Sequence, residues 1–153
     1  MEVAKRHPHM RCISFDLPAV EPIAARSIAA AGLTDRVTTA SGDFFADPLP
    51  KADVITMGMI LHDWNLERKM CLIRSAYEAL PAGGAFVAIE ALIDDARREN
   101  VFGLLMSLNM LIEFGDAFDY SGKDFQRWCR EIGFQRFEVI HLFGPSSAAI
   151  AYK

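Results

Sequence analysis

Two kinds of hydrophobic spacing alternate along this chain. Stretches 11–16 ("RCISFD"), 35–43 ("DRVTTASGD"), 52–61 ("ADVITMGMIL") and 85–91 ("AFVAIEA") are short, rich in apolar and β-branched residues, and read as strands. Between them the alanine-rich stretch 19–32 is punctuated by Pro18 and Pro22 and closed by Gly32, as a helix would be. In the segment after the third strand, Trp64, Met70, Ile73, Tyr77 and Leu80 recur at roughly helical spacing, and "PAGG" at 81–84 breaks that helix. Residues 101–114 and 121–133 predict two further helices, and 134–143 with 146–153 predict an antiparallel pair. Strands alternating with helices imply a doubly wound α/β domain: a parallel sheet covered on both faces, with an antiparallel end.

Composition narrows the partners. A chain of 153 residues, 52% apolar, is one domain with one substantial core. Its net charge of -4 includes no run of Lys or Arg, so neither nucleic acid nor an anionic membrane is an expected partner. The 3 cysteines, Cys12, Cys71 and Cys129, form no Cys-x-x-Cys pair, which fits a reducing cytoplasm better than a disulfide framework or a zinc site. The start, "MEVAKRHPHM", has no apolar targeting core, and the 101–114 helix is interrupted by Ser107, Asn109 and Glu113, so no membrane span is expected.

In sheets of this kind ligands gather beyond the carboxyl ends of the strands. Asp16, Asp43, His62 and Glu90 all fall at or just after those ends. Asp16 could accept from both hydroxyls of a ribose, and Asp43 from the amino group of an adenine with Phe44 against its face; each could equally be a turn or cap residue. His62 in "LHDW" could be a general base, or a turn residue beside an Asp63 that caps the next helix. Glu90 could hydrogen-bond the second ring nitrogen of His62 and fix its tautomer, or pair with Arg97 or Arg98. Met106, Asn109, Met110 and Glu113 sit largely on one helix face; such a face is usually core, though flexible methionines suit a planar aromatic guest. His7, His9 and His141 have no ligand cluster beside them, and no metal site is expected. No Gly-x-Gly-x-x-Gly is present, and the chain reads as beginning inside a first helix, "EVAKRHP".

Taken in order, "FDLP", "SGDFF", "LHDW", "PAGG", "AIE" and "FDYSGKDFQRWCREIGF" closely resemble the catalytic domain of S-adenosylmethionine-dependent O-methyltransferases of the caffeate, acetylserotonin and hydroxyneurosporene group and their polyketide-tailoring relatives. The resemblance covers essentially residues 1–153 and implies a Rossmann-like methyltransferase sheet with an antiparallel carboxyl-terminal strand pair, lacking the first strand, its glycine-rich loop and the amino-terminal dimerisation domain. It implies S-adenosylmethionine as cofactor, bound by Asp16, Asp43, Phe44 and Trp64, and His62 as catalytic base flanked by Glu90 and by Asp119, where the family usually has Glu. The acceptor would be a hydroxyl of an aromatic or polyketide-like small molecule touching Met106, Asn109 and Met110, with no metal required and with a homodimer in the full-length protein. Loss of the first strand would leave two open sheet edges and weaken cofactor affinity in the chain alone. The alternatives are a non-catalytic remnant and a relative with non-methylating chemistry such as hydroxylation.

Overall fold

A computed structural model describes residues 1–153, which divide into two compact units, Met1–Pro50 and Lys51–Lys153. In the first, a short helix α1 (Glu2–Arg6) precedes strand β1 (Cys12–Asp16), helix α2 (Glu21–Ala30) and strand β2 (Val37–Ser41). The two strands pair in parallel from Cys12 opposite Val37 to Asp16 opposite Ser41. Ala4, Ile28, Leu33 and Val37 make a small core, and the Arg36 guanidinium ties α1 to it by donating to the Ala4 carbonyl.

The second unit holds β3 (Val54–Gly58), α3 (Leu66–Ala79), β4 (Ala85–Glu90), α4 (Val101–Phe114), α5 (Gly122–Ile132), β5 (Arg136–Phe143) and β6 (Ser146–Tyr152). Its sheet runs β3-β4-β6-β5, with β3 parallel to β4 and both other pairings antiparallel. The mixed α/β architecture and the terminal hairpin agree with the sequence. The strands form two sheets: β1 pairs only with β2 and β3 only with β4, so each leaves one backbone edge without a strand partner, as expected of a chain without the family's first strand.

Strand β4 lies between two others, and its alternation buries Phe86, Ala88 and Glu90 on one face. The period of two therefore carries a carboxylate into the interior at the end of an apolar row. Helix α3 is capped by the Asn65 side chain, which accepts from the Arg68 amide, and not by Asp63. Asp63 instead closes a single 3-10 turn, Leu61–Asp63, and Trp64 is extended between turn and helix. Ser121 and Asp124 form a reciprocal capping box on α5.

Helix α4 begins at Asn100, whose side chain accepts from the Gly103 amide and donates to the Leu92 carbonyl. At Gly103 it passes so close to the segment after β4 that an added Cβ would lie 2.6 Å from the Ala91 carbonyl oxygen and 3.3 Å from the Ile93 side chain. Alanine in place of a helical glycine ordinarily gains about 1 kcal/mol. Here Gly103→Ala is expected to lose roughly 1–3 kcal/mol through overpacking, read as a lower denaturant midpoint; a variant as stable as the parent would show that the approach is not tight.

Candidate active site

Beyond β3 the backbone turns at Met59, whose φ of 53° lies in the left-handed region that side chains disfavour. Its amide donates to the Ile89 carbonyl, which holds the strained residue against β4. The next two amides, of Ile60 and Leu61, both donate to Oε1 of Glu90, at 3.2 and 3.0 Å. Glu90 thereby shapes the 3-10 turn that presents His62, with Leu61 buried beneath it.

His62 is 4% exposed, Glu90 1% and Asp119 1%, so an imidazole and two carboxylates share one enclosed space. Asp119 arrives from the loop after α4, where its amide donates to the Ser107 hydroxyl. Its Oδ1 lies 3.5 Å from Nδ1 of His62, at the outer limit of hydrogen bonding, while Oδ1 of the half-buried Asp63 lies 3.2 Å from Nε2. The carboxylate facing the second ring nitrogen is thus Asp119, where the sequence pointed to Glu90. The strand register explains the difference, because it sets Glu90 Oε1 against the amides that continue from β3. Nδ1 of His62, Oε2 of Glu90 and Oδ2 of Asp119 are buried and have no hydrogen-bond partner within the usual geometry. A buried polar atom left in that state marks either strain or a place for a group that binds there.

The electrostatics follow from this crowding. Burial pushes the His62 pKa down, but Asp119, Glu90 and Asp63 outweigh it and the net shift is upward. Burial raises the Glu90 carboxyl to about 7 against the opposing pull of His62 and the two amides. Asp63 is raised as well, chiefly by burial.

The helix does not bring its three predicted acceptor contacts to one surface. Met110 is buried, Met106 half-buried and Asn109 exposed, with its amide donating to Glu113. α4 does pack against the 3-10 turn that carries His62. Trp64 is half-buried, with the Arg68 guanidinium 4.9 Å from its ring centroid.

In the first unit, Asp16 ends β1 and Asp43 follows β2, so both acids stand at the carboxyl end of the same strand pair. Both are exposed. Oδ1 of Asp16 accepts the Leu17 amide, Oδ1 of Asp43 accepts the Phe45 amide, and Phe44 is half-buried beside Phe45.

One residue of the second unit escaped the sequence. Lys69 is fully buried and its ammonium donates to the Trp64 carbonyl. It lies with Leu72, Ile73, Ala76 and Ala79, the other residues that α3 buries. The sequence reading of Trp64, Met70, Ile73, Tyr77 and Leu80 has Ile73 and Leu80 buried, but takes the half-buried Met70 and Tyr77 where the fold buries Lys69 and Ala76. A lysine three and four residues before a Leu-Ile pair was the available signal.

Ligating atoms of His62, Glu90 and Asp119 lie within 4.8 Å of one another, a donor set suited to a divalent cation, though Lys69 already brings a positive charge into their field. An open cleft of about 660 Å³ elsewhere in the unit, lined by Asp94, Asp95, Lys123 and Glu138 among others, shares no residue with this cluster. Its acids are engaged: Asp94 binds the amides of Arg98, Glu99 and Asn100, and Asp95 pairs with Lys123.

Residues 1–135 match a family model described as an O-methyltransferase domain. The chain is 40% identical over 149 residues to the tetracenomycin polyketide synthesis 8-O-methyl transferase of Streptomyces glaucescens, covering 97% of this chain and 44% of that protein. It is 38% identical over 133 residues to the N,N-dimethyltransferase OxyT of Streptomyces rimosus, covering 87% of this chain and 38% of that one. Human N-acetylserotonin methyltransferase, solved in complex with SAM, superposes with a TM-score of 0.90 at 28% identity over 99% of this chain and 43% of its own. The chain thus spans less than half the length of these relatives. No helix is long and apolar enough to cross a membrane.

Glu90 gives a test of the cluster. Its carboxyl is raised from 4.5 to about 7, so its contribution to stability is full below about 4.5 and is lost as pH rises through 7. Glu90→Gln keeps the oxygen that accepts the two amides and removes the charge. It should match the parent near pH 4.5 and exceed it above pH 7 by up to ~3 kcal/mol in denaturant unfolding; lower stability at both pH values would contradict this environment.

Proposed function

This chain belongs to the O-methyltransferase domain family, and from that premise we propose that the protein transfers a methyl group from S-adenosylmethionine to a hydroxyl of an aromatic or polyketide-like small molecule. The observation that carries the reading is a buried imidazole with one carboxylate at Nδ1 and a second, half-unpartnered one beside it. S-adenosylmethionine, when bound, supplies the electrophilic methyl.

Asp16, Asp43 and Phe44 are the contacts proposed for its ribose and adenine, with Trp64 as a further cofactor contact. His62 is the proposed catalytic base. An Nδ1–H directed at Asp119 leaves the lone pair on Nε2, which takes the proton of the acceptor hydroxyl once the half-exposed Asp63 gives way. Asp119 and Glu90 then face the imidazolium that forms and lower its cost in their enclosed space. Oriented base and oriented acceptor suffice for such a step. Met106, Asn109 and Met110 remain the proposed acceptor contacts, with Met106 and Met110 the better placed by burial. Residues 1–153 are read as one part of a methyltransferase catalytic domain, and pairing of two copies in the whole protein belongs to the same proposal.

A second reading is favoured by the relative named as an N,N-dimethyltransferase: an amine as methyl acceptor. A neutral amine already carries its lone pair, so it needs no base of this kind before attack. Transfer of labelled methyl groups to a panel of phenols and amines separates the two. His62→Gln should lower kcat towards a phenol by about 10²–10⁴-fold while leaving cofactor affinity within a factor of a few. Undiminished transfer by the variant would remove His62 as base and favour the amine.

A further inference from the structure

Lys69 is the buried charge for which the reaction has no use. Its ammonium is fully enclosed, yet its neighbours are a carbonyl and two rings in place of a paired carboxylate: the Trp64 oxygen, the Phe118 ring at 3.6 Å and the Tyr120 ring at 5.8 Å. Burying an ammonium this way is expensive unless a surrounding field compensates. That field comes from Asp119, Glu90, Asp116 and Asp63, and all of these but Asp116 also act on His62.

The contacts of Lys69 also fall on both segments that build the cluster. Trp64 is two residues beyond His62, at the end of the turn that carries the imidazole. Phe118 and Tyr120 flank Asp119 on either side. One side chain from α3 therefore spans the strand of chain bearing the proposed base and the loop bearing its partner. Neither segment is a strand or an α-helix there, and Lys69 contacts both.

We propose that Lys69 is a positioning residue of this site, a cationic clamp that fixes His62 against Asp119 and offsets the surplus of negative charge around the imidazole. The inference rests on the reading of His62 as the base. Three acids, Asp63, Glu90 and Asp119, face His62, and Asp116 and Glu113 add to the field around Lys69 and Asp63. Left alone, they would hold the imidazole protonated to higher pH and so withhold the neutral form. A fixed cation repels the imidazolium and opposes that pull. Burial lowers the ammonium itself to about 8, so the clamp is charged below that pH and fades above it.

The test uses the His62 ring signal in a proton–carbon NMR titration, assigned by its loss in His62→Gln, and needs no methyl transfer. Lys69→Met keeps the stem and removes the charge. It should raise the His62 midpoint by about one pH unit, a tenfold fall in the neutral fraction at a fixed pH below it. Ile73→Val, on the same buried stripe, controls for packing and should leave the midpoint in place while lowering stability. Lys69→Met should also abolish the gain in stability that the parent shows as pH rises from about 8 to 10.5, the window set by a folded-state ammonium at about 8 and an ordinary value of 10.5. An unmoved His62 midpoint in Lys69→Met, or an equal shift in Ile73→Val, overturns the proposal. If the parent methylates no acceptor, the function proposed for the site fails, and the titration still reads the clamp.

Discussion

A carboxylate taken out of water must find donors, find a cation or give up its charge, and the second unit is organised around that constraint. The alternation of β4 leaves Glu90 no route to solvent. One of its oxygens is therefore met by consecutive amides of the chain leaving β3, and meeting them is what bends that chain into the turn at His62. The left-handed Met59 is part of the same bend. Strain at one exposed residue is the local cost of bringing two amides to a buried acid.

The acid that the turn serves and the acid that serves the histidine are different residues with different supports. Glu90 stands on a strand between two others, the most rigid platform available. Asp119 stands on a loop, held by the Ser107 hydroxyl and by its aromatic neighbours. A backbone-shaping acid gains from rigidity. An acid that answers a changing charge on an imidazole is better placed on a segment that can adjust.

Much of this was legible in the sequence, and the failures share a cause. The apolar runs gave β3 and β4, and 101–114 and the terminal pair appear as read, because there local pattern and tertiary burial agree. Glu90 was visible as a strand-end acid and His62 as a post-strand histidine. What Glu90 binds was not visible, since its partners are backbone amides, which no side-chain pattern records. Asp119 sits in a loop without periodicity and came forward only through resemblance. Lys69 was passed over because its apolar neighbour Met70 was read into the buried face, and a helix with partly apolar neighbours beside that face admits two readings. The division of the sheet came forward only through resemblance as well, because periodicity assigns strands but not their partners.

The first unit carries Asp16 and Asp43 on two five-residue strands over a core of Ala4, Ile28, Leu33 and Val37. So little buried apolar area makes it the portion of the chain that opens most cheaply, and amides of β1 and β2 should exchange with solvent ahead of those of β4. Anything that binds at those two acids adds its own free energy to the closed form. Recognition there and local folding are then one equilibrium, and the affinity seen from outside is the intrinsic affinity diminished by the work of keeping a small unit shut.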